Sequence, residues 1–243
     1  MRAYERFLKY VTVHTASSEE SETTPSTQIQ FDLANLLRDE MLEMGISDAR
    51  VDEHCYVYGS IPATPGCENA PCIGFIAHLD TIPDFSGENV KPTLVENYNG
   101  GDVTLGTSGR TLSTKEFPHL KDYVGKTLIV TDGTTLLGAD DKAGIAIILE
   151  TLRVLKELKG NLPSVQVIFT LCEEVGITGA KYLDYSKIKG TDGLILDNES
   201  SEELIIRGPG KYNFNVTSIT SSIECLERIK SEEVFDFILN KYS

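Results

Sequence analysis

Basic charge is scarce in this chain. Its 243 residues hold 22 Lys+Arg against 37 Asp+Glu, a net charge of −15 with the four histidines neutral. A field of that sign repels nucleic-acid phosphates and anionic lipid, and no Lys/Arg cluster reverses it locally. Neither nucleic acid nor a membrane surface is therefore an expected partner. Long apolar runs are missing too: nothing approaches the ~18 residues of a spanning helix. The start, Met1 to Tyr10, lacks the apolar stretch of a signal peptide. The cysteines, Cys55, Cys67, Cys72, Cys172 and Cys225, are odd in number and scattered, with no CxxC spacing of a zinc ribbon. Free thiols in a reducing cytoplasm are the expected state. No internal repeat of about 20–50 residues and no low-complexity tract occurs.

Several catalytic signatures are also absent. There is no GxSxG nucleophile elbow and no HExxH. Gly125-Lys126-Thr127 resembles the end of a phosphate loop, but Leu120 stands where its first glycine belongs, and strand-like residues follow it.

What remains is an ordinary globular composition, 40% hydrophobic and 24% charged. A chain of this length buries roughly 70–75% of its unfolded surface, so it needs no disulfide or metal merely to fold. The surplus acid has two readings, plain solubility or carboxylates gathered around a cation.

The hydrophobic pattern predicts helices in the first 45 residues. Tyr4, Phe7, Leu8 and Val11 recur at helical spacing, as do Phe31, Leu33, Leu36, Leu37, Met41 and Met44, with Gly45 as a C-cap. The Ser/Thr/Glu-rich stretch from Ala16 to Thr27 reads as a loop. Short apolar runs at 73–77, 127–131, 165–170 and 194–196 read as strands, with 204–206 and 212–216 as two more. Helices are expected at Lys142 to Leu158 and Gly176 to Tyr185. Strands alternating with helices predict an α/β fold: a mixed, mostly parallel sheet covered by helices on both faces. Residues 84–126, glycine-rich and without a convincing helix, read as a loop or hairpin insertion that forms a lid or wall beside a site.

In open α/β sheets ligands bind beyond the carboxyl ends of the strands. The 73–77 run leads into His78-Leu79-Asp80, and the 127–131 run into Leu137-Gly138-Ala139-Asp140-Asp141-Lys142. The 165–170 run leads into Cys172-Glu173-Glu174, and 194–196 into Asp197-Asn198-Glu199. One acid after a strand usually caps a helix. Four acidic strand ends in succession fit capping alone less well, because crowded carboxylates repel unless a cation or a proton sits among them. Zinc accepts this mixture of imidazole nitrogen and carboxylate oxygen. Two metals ~3.5–4 Å apart need a bridging carboxylate and a bound water. His78 and Asp80 lie on one side of a strand, so one can hold metal while the other orients it. Adjacent Glu173 and Glu174 point differently, so one can bind metal while the other serves as general base. Cys172 beside them reads as a buried, inert thiol.

Ala77-His78-Leu79-Asp80-Thr81, Leu137 to Gly144 and Glu173-Glu174-Val175-Gly176 together resemble the aminotripeptidase (peptidase T) branch of the co-catalytic zinc exopeptidases, relatives of carboxypeptidase G and aminoacylase. Arg6 to Val11 is similar to that branch as well, and the resemblance covers about residues 1–210. It implies a zinc-exopeptidase catalytic domain that removes the N-terminal residue of short peptides. His78 and Asp197 would be terminal ligands of one zinc. Asp140 would bridge both zincs, followed by a peptide bond that is often cis in the family. Glu174 would bind the second zinc, Glu173 would be the general base, and Asp80 the partner that orients His78. The family places Asp-Gly where this chain has Asp197-Asn198, so Glu199 is an alternative ligand.

The family also carries a further histidine ligand near its C-terminus and an inserted lid and dimerisation domain, and is usually about 400 residues long. This chain has no histidine after His119. One domain over 1–243 is expected, with 212–243 as a rejoined C-terminal strand and helix. Ser222, Ile223, Leu226, Ile229, Val234, Phe237 and Ile238 give the helical stripe. The expected consequences are a weakened second zinc site, impaired turnover and a monomer. The alternatives are an inactive remnant that binds metal or peptide, or a related dipeptidase or aminoacylase.

Overall fold

The computed structural model describes residues 1–158, 160–190 and 192–197, together with the backbone of two strands at 205–207 and 215–218. Helix α1 spans Ala3–Tyr10 and buries Phe7 and Tyr10, while Glu5 in its first turn accepts a hydrogen bond from the Arg2 amide at 2.6 Å. Helix α2, Gln30–Glu43, buries Leu33, Ala34, Leu37 and Met41, a stripe at helical spacing. Burying each of the larger side chains contributes about 1.5–3 kcal/mol. Gly45, at φ +78°, ends that helix as its position predicts. Helix α3, Ala139–Glu157, is buried along nearly the whole of 141–149. Arg6 of α1 pairs with Glu40 of α2 and lies 3.5 Å from Glu150 of α3, so the three helices form one layer.

The strands are β1 Arg50–Val51, β2 Val57–Ile61, β3 Ile73–His78, β4 Thr93–Val95, β5 Val103–Leu105, β6 Arg110–Leu112, β7 Leu128–Val130, β8 Val165–Thr170, β9 Asp192–Ile195, β10 Ile205–Arg207 and β11 Asn215–Ser218. Seven of them build the main sheet in the order β1-β2-β8-β3-β9-β11-β10. The pairs β8/β3, β3/β9 and β9/β11 are parallel, and β1/β2, β2/β8 and β11/β10 are antiparallel. The sheet is mixed, as expected, with its parallel strands at the centre. In register, His78 lies opposite Thr170 and Ile76 opposite Ile195, so the chain leaving β3, β8 and β9 emerges side by side.

Two expectations need correction. The 127–131 run forms β7, but outside the main sheet: among the described residues it pairs only with β4, Thr93 opposite Val130. An apolar run encodes burial, not its partner. Leu128 and Val130 face a second core with Tyr98, Val103, Leu105 and Leu120, while Ile129 faces the main one. Second, Gly176 to Tyr185 forms two short 3-10 helices, Thr178–Tyr182 and Tyr185–Lys187. Ile177 takes a left-handed φ of +57° that interrupts an α-helix. Gly179 presses so closely on the Leu171 carbonyl that no Cβ would fit there. Helices cover both faces of the sheet, as expected, with the α-helical layer on one of them. The face bearing Gln166 is covered by the 3-10 segment, whose Lys187 carbonyl accepts from the Gln166 amide at 2.7 Å. The 204–206 strand is met by β10, and β11 falls on the described end of the 212–216 run, whose residues 212–214 lie outside the described residues. The helix expected at 222–242 and the alternative ligand Glu199 lie outside the described residues.

The 84–126 insertion holds β4, the β5–β6 hairpin and a 3-10 turn, Pro118–Tyr123, around the second core. Among the described residues no helix is long and apolar enough to cross a membrane.

Candidate active site

His78 closes β3 and is 2% exposed. Its Nδ1 lies 2.9 Å from the Asp80 carbonyl oxygen and 3.5 Å from the Asp80 carboxylate. That contact aims Nε2 outward, 2.7 Å from Asp140 and 3.9 Å from Asp197. Asp140 enters from the start of α3, where the Asp140–Asp141 peptide bond is cis and both residues depart from helical geometry. Its neighbour Asp141 is fully buried and accepts from the His78 and Gly144 amides, each at 3.2 Å. Donor atoms of His78, Asp140 and Glu174 all lie within 4.8 Å of one another, as do those of His78, Asp141 and Asp197. Glu173 lines a mainly apolar cavity of about 200 Å³ with Tyr56, His78, Ile177 and Asp197.

Asp80 stands behind this array with no exposed surface. One carboxylate oxygen accepts from the Glu173 amide at 3.1 Å and the other from the Glu174 amide at 3.2 Å. Ser17 Oγ donates to the second oxygen at 2.5 Å. Asp80 therefore faces His78 and the backbone of both glutamates at once.

The electrostatics are those of a crowd of like charges. Burial and the Asp140 carboxylate push Glu174 up to about 7. Burial, Asp140 and Glu173 push Asp197 up to about 6. Burial, reinforced by Asp197 and Asp140, lifts Asp141 well above the carboxylate range. Burial opposes charging of His78, but hydrogen bonds to Asp140 and Asp80 and the charges of Asp141 and Asp80 outweigh it and raise it well above its ordinary value. The His78 hydrogen bond in turn lowers Asp140. Asp80 is lowered too: burial opposes, but His78, Ser17 and the Glu173 amide prevail. Among the described residues no lysine or arginine pairs with Asp140, Glu173, Glu174 or Asp197. One imidazole and several carboxylates that repel one another are the donor set a divalent cation relieves, so these residues fit a metal.

All six residues singled out in the sequence are thus brought to one edge of the sheet. Asp140 arrives there from the start of α3 rather than from the end of a main-sheet strand. Sequence reading missed Asp141 as a donor, since nothing in the spacing separates it from Asp140. It also missed Ser17, hidden in a loop, and the buried Lys142. The Lys142 ammonium donates to the Val13 carbonyl at 2.7 Å, and burial lowers it to about 7.

Sheet, helix layer and acidic edge define an α/β domain of the peptidase fold, and known proteins agree. The chain superposes on an aminopeptidase PepT from Bacillus cereus with a TM-score of 0.60 and 27% identity, over 84% of this chain and 45% of that one. A tripeptidase from Staphylococcus aureus gives 0.57 and 25%, over 82% and 44%. A family model described as M42 glutamyl aminopeptidase matches residues 126–201, the stretch that holds Asp140, Glu173, Glu174 and Asp197. Within that class the chain resembles peptidase T. It is 47% identical over 218 residues to Peptidase T of Alkaliphilus oremlandii, covering 88% of this chain and 52% of that one. It is 54% identical over 184 residues to Peptidase T of Desulfitobacterium hafniense strain Y51, covering 74% and 44%. The chain spans about half the length of the curated relatives it matches.

Proposed function

We propose that this chain forms the catalytic domain of a peptidase-T-like, di-zinc aminopeptidase that removes the N-terminal residue of short peptides such as tripeptides. The observation that carries the reading is the meeting of His78, Asp140, Glu174 and Asp197 beside a free Glu173 carboxylate, on a chain similar to Peptidase T. His78, Asp140 and Asp197 would hold one zinc, and Asp140 with Glu174 the other. Asp141, within reach of His78 and Asp197, is a further donor. When bound, the metal pair supplies an acidified water and a polarised scissile carbonyl. Glu173 then takes the proton of the attacking water and gives it to the leaving amine, a role suited to the one glutamate outside both donor groups. Asp80 orients His78 from behind.

The second zinc has only two ligands from this chain in that scheme, since no histidine follows His119. We therefore expect the 243-residue chain, assayed alone, to bind one zinc more tightly than the other and to turn over slowly. A cytoplasmic, monomeric protein completes the reading. The scattered cysteines support the compartment.

Zinc stoichiometry and affinity near about pH 7.5, with Asp140→Ala as control, test the site. One or two zincs lost in the variant support it, and undiminished binding by Asp140→Ala overturns it. A panel of free-amine and N-acylated peptides then separates an aminopeptidase from an aminoacylase or dipeptidase.

A further inference from the structure

The loop between α1 and α2 is built around the back of this site. The Ser17 amide donates to the Thr81 carbonyl at 2.9 Å, and the Thr81 amide donates to the Thr15 carbonyl at 3.2 Å. Thr27 Oγ1 donates to the Ala16 carbonyl at 2.6 Å. Gln30 Nε2 reaches Ser26 and Thr27 at 3.2 Å each and Ser17 Oγ at 3.5 Å. The Ser26 amide donates to Cys172 Sγ at 3.1 Å, just before the glutamate pair. The backbone of residue 17 is therefore fixed beside the strand end that carries Asp80. Its hydroxyl, 4% exposed with its residue, points at a carboxylate rather than at the loop's own backbone.

We propose that Ser17 is a positioning residue: its hydroxyl locks the Asp80 carboxylate in the orientation that spaces His78 from the Glu173–Glu174 backbone. Asp80 divides its two oxygens among four groups. One oxygen faces the Glu173 amide and His78, and the other faces the Glu174 amide and Ser17. Ser17 is the short contact of the second oxygen. Without it that oxygen keeps one donor at 3.2 Å, and the buried carboxylate gains freedom to rotate away from the Glu174 amide. A buried acceptor that loses a partner relaxes toward whatever donor remains. The effect on the metal donors is indirect, as for other groups behind a ligand.

This proposal rests on the metal-site reading, and the experiment separates the two. Wild type, Ser17→Ala, Ser17→Thr and Ser26→Ala are compared as the purified full chain. Two readouts are taken: zinc and cobalt titration, and hydrogen exchange of the Glu173 and Glu174 amides in metal-free protein. Ser17→Ala is expected to speed exchange at those amides about tenfold and to weaken metal binding about 10- to 100-fold. The cobalt absorption spectrum changes with it. Ser17→Thr, which keeps the hydroxyl, restores both. Ser26→Ala removes loop hydrogen bonds that do not touch Asp80, so it lowers the unfolding temperature and leaves both readouts near wild type. Unchanged exchange in Ser17→Ala overturns the proposal, and so does equal loosening in Ser26→Ala, which would make Ser17 mere loop packing. A wild type that binds neither metal overturns the metal-site reading, while the exchange comparison still decides the role of Ser17.

Discussion

Two charged clusters draw on α3, one through Glu150 and one through Asp140 and Asp141 at its start, and they are built on opposite arithmetic. In the helix layer, Arg6 is shared by Glu40 and Glu150, Tyr10 donates its hydroxyl to Glu40 at 2.7 Å, and Lys9 stands 3.7 Å away. Every acid there has a cation or a donor, and the cluster ties three helices together. At the sheet edge, a single imidazole faces Asp80, Asp140, Asp141 and Asp197, with Glu174 beside them. The first cluster is complete with its own side chains. The second is balanced only by protons or by an added cation. Burial alone does not tell the two apart; the count of opposite charges does.

Four experiments sharpen that contrast. Arg6→Ala takes the buried guanidinium from Glu40, which keeps only the more distant Lys9, while Glu150 keeps Arg153; it is expected to cost about 3–5 kcal/mol, read by denaturant unfolding, with zinc affinity per folded molecule unchanged. Asp140→Ala is expected to weaken zinc binding by more than about 100-fold, since loss of a direct ligand exceeds loss of a group behind one. The metal-free variant loses the Asp140–His78 hydrogen bond but also a charge that repels Glu174 and Asp197, so its stability is expected to change less than that of Arg6→Ala. Equal damage to stability from both variants would erase the distinction between the clusters.

The pH dependence has a definite sign. Glu174 and Asp197 sit near 7 and 6 in the folded protein, against ordinary values of 4.5 and 3.8. The folded state therefore holds more protons than the unfolded one between those limits, and stability falls as pH rises through that window. His78, raised as well, adds stability at low pH that is lost as pH climbs through its folded value. Metal-free protein should thus melt at a lower temperature at about pH 8 than at about pH 5, and saturating zinc should flatten or reverse the trend. A metal-free melting temperature that rises over this range would contradict the crowding of charge at the edge. The smallest effect is expected from Arg153→Ala. Its pairs with Glu150 and Glu157 are balanced and half-open to solvent, and their loss should cost less than about 1 kcal/mol.

The acidic edge was more legible in the sequence than the complete cluster. His78, Glu173 and Asp197 each follow an apolar run, so a rule about strand ends gathers them without knowledge of the sheet order. Arg6 and Glu40 lie on separate helices with 33 residues between them, and no local pattern links them. The same limit explains β7. Its three apolar residues announce burial, but the choice of β4 as partner depends on an insertion whose own fold is not periodic. The 3-10 segment failed for a different reason. Gly176 to Tyr185 has helical composition, and the left-handed Ile177 and the close approach of Gly179 to Leu171 are tertiary demands. Ser17 was invisible because a serine in a polar loop carries no signal until Asp80 is placed beside it.

The alternation along β7 bears on how this domain can be trimmed or grafted. Leu128 and Val130 belong to the core of the insertion, and Ile129 between them belongs to the core of the sheet. The strand is a seam, and the Leu137–Lys142 stretch begins only a few residues beyond it. Excising 84–126 as a removable cassette would strip β7 of β4, its partner among the described residues, and bare two apolar side chains just upstream of Asp140. A shortened version of the domain would therefore need Leu128 and Val130 recut to polar residues, and its metal affinity would report how firmly the seam had held Asp140 in place.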